Sequence, residues 1–229
     1  MELEFQAYLK SKSREEVKVL DPAISKSKYA PLDLGVGNQE LMSIDIGSSE
    51  ALGNYINNTL FQVRGTVACG GYLEKRGIYN RSEHFYRVEE SDDERNIHLG
   101  IDLWCNAGTT VHACEDGVIH SFRNNDAFGD YGPTIIVMHN WDGGNWFSLY
   151  GHLTKKSIEF LEVGEDIKKG QMIGRLGEPF ENGDYPPHLH FQLILDMERN
   201  AGDYPGVCSE KEKYKYEQNC PDPNLLLGI

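Results

Sequence analysis

The 229-residue chain predicts an all-β fold, a compact antiparallel β-sandwich or barrel with a groove, preceded by a short N-terminal helical extension. Two observations carry this. From residue 96 to 197, short apolar runs (117–119, 134–138, 146–150, 171–174) alternate with turn clusters (124–126, 142–145, 181–184) at strand spacing. Several runs also set apolar residues on one side of a two-residue repeat and polar, chemistry-bearing residues on the other. No internal period of about 20–50 residues points to a solenoid.

The elements follow in chain order. Residues 1–60 read as an N-terminal extension packed on the main domain, with a helix over Glu50–Ile56 that Ser48 and Ser49 can cap. Residues 61–67 read as a strand, which opens a main domain spanning 61–197. The Gly-, aromatic- and charge-rich stretch after Gly70 reads as a long loop, with Tyr79, Arg81 and His84 as candidate substrate contacts. Residues 198–229 form a C-terminal extension packed on the domain.

Composition narrows the function classes. A formal net charge of −14 argues against nucleic acid or an anionic membrane as partner, since a phosphate surface calls for a basic face. No apolar run reaches the roughly 18 residues of a membrane-spanning helix. Met1–Lys10 lacks the basic and apolar regions of a secretory signal, so the sequence as it stands reads as cytoplasmic, or as periplasmic or extracellular if trimmed. Five cysteines without a C-x-x-C pair suit reduced thiols, although Cys208 and Cys220 could pair across the C-terminal loop. Cys105 and Cys114 read as small core residues.

The strand-like stretch 95–104 is the most informative. Ile97, Leu99, Ile101 and Leu103 alternate with His98, Gly100, Asp102 and Trp104. Four residues of straight strand cover roughly 13 Å, too far for His98 and Asp102 to reach one cation comfortably. The backbone is therefore expected to bend near Gly100. Alternation also groups Ser148, Tyr150 and His152 on one face, and His188, His190 and Gln192 on another. Pro186 and Pro187 start the latter strand at a sheet end or edge. His98, Asp102, His152, His188 and His190 together suit a catalytic zinc centre, which takes three His or carboxylate ligands and keeps a position for water. The remaining imidazoles would move a proton or stabilise an oxyanion. Spacing alone does not choose which histidines are ligands. His120 and His139 read as surface or core residues.

Ile97–Asp102, Leu149–Leu153, Val163–Gly174 and His188–Phe191 resemble, in order, the motifs of the lysostaphin and LytM-like zinc metalloendopeptidases. That resemblance implies a small antiparallel β architecture with a groove, the duplicated hybrid motif. It implies one zinc per chain on His98, Asp102 and His190, with His152 and His188 as the catalytic pair, and a peptide or peptidoglycan cross-link as substrate. The flanks look like the version of this domain fused to aminotransferase-like domains. A non-catalytic zinc-binding or activator module of the same fold is the alternative. A lipoate- or biotin-type carrier lacks its tip lysine between Arg175 and His188, and a structural zinc would favour a closed, cysteine-rich set.

Overall fold

The computed structural model describes residues 2–13, 16–81 and 94–229. His84 and the side chain of Arg81, two of the candidate contacts, lie outside the described residues. In chain order the elements are α1 (Glu2–Ser13), β1 (Tyr29–Pro31), α2 (Ser49–Val63), β2 (Val67–Gly70), β3 (Ile97–His98), β4 (Ile101–Trp104), β5 (Thr110–His112) and β6 (Gly117–Asn125). There follow β7 (Gly132–Trp141), β8 (Gly144–Gly151), β9 (Asp166–Ile167), β10 (Met172–Arg175), β11 (His188–Ile194), β12 (Val207–Cys208), α3 (Lys213–Asn219) and α4 (Asn224–Leu227).

The architecture is all-β with helices at its margins. Eight strands form one sheet in the order β1-β2-β4-β11-β8-β7-β6-β9, antiparallel except for the β1–β2 pair. Two-stranded ribbons, β5–β10 and β3–β12, complete it. β11 is central because Leu189, Phe191 and Leu193 all enter the main apolar cluster, which also takes Tyr150 and Ile135. That cluster includes Phe5 and Leu9 of α1 and Leu226 and Leu227 of α4, so both ends of the chain are built into the core.

Residues 61–63 are helical, which corrects the expected strand. Leu52, Ile56 and Leu60 recur at helical spacing and pack with Ala30, Ala68 and Trp104, while Phe61 is 85% exposed. Ser48 caps the start by accepting from the Ala51 N–H, and Arg64, in the left-handed region at φ 55°, ends the helix. The strand begins only at Val67. A short apolar run such as Phe61–Val63 does not by itself distinguish helix from strand. All five cysteines are free thiols.

Candidate active site

The bend expected near Gly100 separates β3 from β4, and it divides the apolar residues of this stretch. Ile97 and Leu99 enter the cluster beneath the C-terminal segment, whereas Ile101 and Leu103 enter the main core. Gly100 also permits a close approach. A Cβ there would lie 2.7 Å from His190 Cε1 and 2.8 Å from Phe191 O. Pairing of β4 with β11 sets His190 opposite Asp102 and His188 opposite Trp104.

The structure brings His98, Asp102 and His190 together, all three buried, with one ligand-type atom of each within 4.8 Å of the others. His98 Nε2 lies 2.9 Å from His190 Nδ1 and 3.3 Å from Asp102 Oδ1, and His190 Nδ1 lies 3.2 Å from the same oxygen. Hydrogen bonds on the far side of each ring fix the tautomers. His98 Nδ1 donates to the Gly71 carbonyl at 3.1 Å. His190 Nε2 donates to Gln192 Oε1 at 2.9 Å, and the Gln192 amide is oriented by its own donation to the Pro205 carbonyl. Both inward nitrogens therefore carry lone pairs, and they face a carboxylate oxygen with no proton to share. Three mutually repelling acceptors at this spacing suit a cation: tetrahedral ligands at about 2.1 Å stand about 3.4 Å apart.

His152 and His188 stand beside this triad with ring centroids 4.2 Å apart. His152 Nδ1 donates to the Asn182 carbonyl at 2.7 Å and His188 Nδ1 to the Pro186 carbonyl at 2.8 Å, which leaves each Nε2 as an acceptor. His188 Nε2 is 3.8 Å from Asp102 Oδ1, and its ring stacks on Trp104 at 3.8 Å. His152 corrects the alternation argument. It follows the end of β8 with φ 64°, so its side chain leaves the face that Tyr150 shares with the main core and joins His188. Ser148 and Tyr150 instead hydrogen-bond each other inside the core.

Burial governs the protonation states. It pushes His98 and His188 down to about 4, helped at His98 by the Arg76 charge, and pushes His152 well below its usual range with the His188 charge adding to the effect. Burial alone would raise Asp102, but the Arg76 guanidinium paired with its Oδ2 is among the neighbours that outweigh burial and hold the carboxylate well below its usual range. A cavity of about 260 Å³ adjoins these groups, walled by Tyr79, Tyr131 and Tyr185. Tyr79 was singled out from the sequence. Arg76, Tyr131 and Asn182 were not, since none belongs to a periodic pattern. Gln192 shares the strand face of His188 and His190, and that alternation was its signal.

Three buried ligand-type groups beside two neutral, outward-anchored imidazoles are an arrangement that could hold a cation next to groups able to accept a proton. Residues 96–201 match Peptidase family M23. The chain is 29% identical over 175 residues to peptidoglycan DD-endopeptidase ShyA of Vibrio cholerae serotype O1, covering 69% of this chain and 36% of that protein. It is 26% identical over 171 residues to L-Ala–D-Glu endopeptidase of Bacillus subtilis, covering 69% and 49%. The chain thus spans between a third and a half of these relatives. The crystallised catalytic domain of lysostaphin from Staphylococcus simulans aligns at 22% identity with a TM-score of 0.41, over 71% of this chain and 97% of that one.

Proposed function

We propose that the chain is a zinc-dependent endopeptidase that hydrolyses a peptide bond in peptidoglycan-type cross-links. The observation that carries this is the convergence of His98 Nε2, Asp102 Oδ1 and His190 Nδ1, three acceptors without a shared proton, beside two imidazoles whose Nε2 atoms are also free. His98, Asp102 and His190 would hold the ion, leaving a position for water. Zinc held there would supply Lewis acidity toward the scissile carbonyl and toward the attacking water.

The chain's own groups handle the proton. His152 and His188 are neutral because they are buried, and each Nε2 can accept the proton released when water attacks. Repulsion between the two close rings favours one proton on the pair. The resulting imidazolium stabilises the developing oxyanion and returns the proton to the leaving amine. The peptide class of substrate is supported by the match to family M23 and by the endopeptidase names of both relatives, and the peptidoglycan class by the name of the Vibrio cholerae relative.

Metal analysis of the purified chain, with digestion of peptidoglycan fragments followed by mass spectrometry, tests this. About one zinc per chain is expected, lost in Asp102→Ala and His190→Ala together with cleavage. His152→Ala and His188→Ala are expected to keep zinc while cleavage falls about 10²–10⁴-fold. Zinc uptake without cleavage of any peptide would instead support a non-catalytic binding module.

A further inference from the structure

The segment leaving β2 runs back along β3. Leu73 N–H donates to His98 O at 2.8 Å, His98 N–H to Glu74 O at 3.0 Å, and Arg76 N–H to Asn96 O at 2.8 Å. This ladder delivers a charged chain of side chains to the ligand triad. Arg76 Nη1 donates to Asp102 Oδ2 at 2.5 Å, and Arg76 Nε donates to Glu74 Oε2 at 2.6 Å. Glu74 Oε1 is held in turn by the Leu34 N–H at 3.1 Å. We propose that Arg76, clamped by Glu74, is a positioning residue that makes Asp102 a one-oxygen ligand. By occupying Oδ2 it leaves Oδ1 alone to face His98 and His190, and it keeps a coordination position open. The inference rests on the metal-centre reading above and assigns it an outer shell.

A purely stabilising role explains this arrangement poorly. Arg76 is 2% exposed, and its Nη2 has no hydrogen-bond partner among the described residues. Buried ion pairs are weak sources of stability and are often replaced by apolar residues without loss, and an orphaned donor adds cost. The geometry matters more than the charge. A guanidinium fork can address two carboxylates at once, whereas an ammonium on a flexible stem addresses them as a point charge. Carboxylate ligands are commonly tuned by such outer partners.

The test uses the full chain with zinc(II) or cobalt(II) alone as probe. Affinity is read by chelator competition, and coordination by the visible spectrum of the cobalt form, which is intense for four-coordinate ions and weakens as further donors bind. The variants are Glu74→Gln/Arg76→Met, which removes the buried pair together, and Arg76→Lys. The double variant is expected to bind either ion about 10–100-fold more weakly, with a weaker cobalt band as Asp102 engages through both oxygens. Arg76→Lys is expected to recover part of the affinity but not the wild-type band. Folded variants with unchanged affinity and an unchanged spectrum would overturn the proposal. Should the double variant fail to fold, Glu74→Gln alone decides: it loosens the clamp, and unchanged binding and spectrum are again the overturning result. A wild-type chain that takes up neither ion removes the metal-centre reading itself, which is a different outcome from an unaffected variant.

Discussion

Gly100 is tightly enclosed beside the site. An added methyl would meet the His190 ring at 2.7 Å and the Phe191 carbonyl at 2.8 Å. Neither neighbour yields easily: His190 is pinned by Gln192, and Phe191 belongs to the backbone of the central strand. Gly100→Ala is expected to cost about 1–3 kcal/mol in urea denaturation, the range for overpacking, and to reduce zinc uptake by displacing His190. A variant of wild-type stability and zinc content would show that the site has slack the geometry does not suggest. Gln192 supplies a second check at this scale. Gln192→Leu removes the acceptor that fixes the His190 tautomer, and chelator competition is expected to record about a 10–100-fold loss of affinity. Alternation exposed His98, Asp102 and His190 in the sequence because each sits on a strand among apolar neighbours. It misplaced His152, whose left-handed backbone lies beyond the strand, and it was silent on Arg76, a loop residue whose partner at the site, Asp102, is 26 positions away.

At the scale of elements, four strands and the start of α2 were legible, and the end of α2 was not. Runs at 117–119, 134–138 and 146–150 fall within β6, β7 and β8, and 171–174 overlaps β10, because alternation and turn clusters agree there. In α2 the residues after Ile56 carried two competing signals. The β-like run Phe61–Val63 suggested a strand, whereas Leu52, Ile56 and Leu60 made a helical stripe whose burial against Trp104 and Tyr185 decided the outcome. That packing ties α2 to the site, since Trp104 stacks on His188. Ile56→Ala is expected to destabilise the protein by about 2–5 kcal/mol, as large-to-small core changes do, and thermal denaturation measures it. A cost under about 1 kcal/mol would mean that the α2 contact is dispensable to the core.

The whole molecule couples its stability to pH through a histidine remote from the proposed metal ligands. His139 is fully buried on β7, stacked on Trp146 at 4.2 Å. Its Nδ1 donates to the Asp116 carbonyl at 2.8 Å, and its Nε2 accepts from the Ser148 hydroxyl at 2.7 Å. Trp146 in turn packs edge-on against Phe5 of α1, so this imidazole sits where the N-terminal helix joins the sheet. Burial pushes its pKa down from 6.5 to about 4, against the smaller upward pull of the Asp116 carbonyl and the charges of Glu115 and Asp116. The unfolded chain therefore binds a proton that the folded chain refuses between those values. The contribution to stability is complete above pH 6.5 and is lost as pH falls toward about 4. At about 1.36 kcal/mol per pH unit, the loss by pH 5 is about 2 kcal/mol. Urea denaturation of wild type and His139→Gln at pH 7.5 and 5.0 isolates it, because carboxylates and the other histidines contribute equally to both proteins. The wild type is expected to lose about 2 kcal/mol more than the variant on acidification, whatever their difference at pH 7.5. Equal losses would mean that His139 keeps its ordinary pKa, and the α1 junction would then not be a point at which acid loosens the fold.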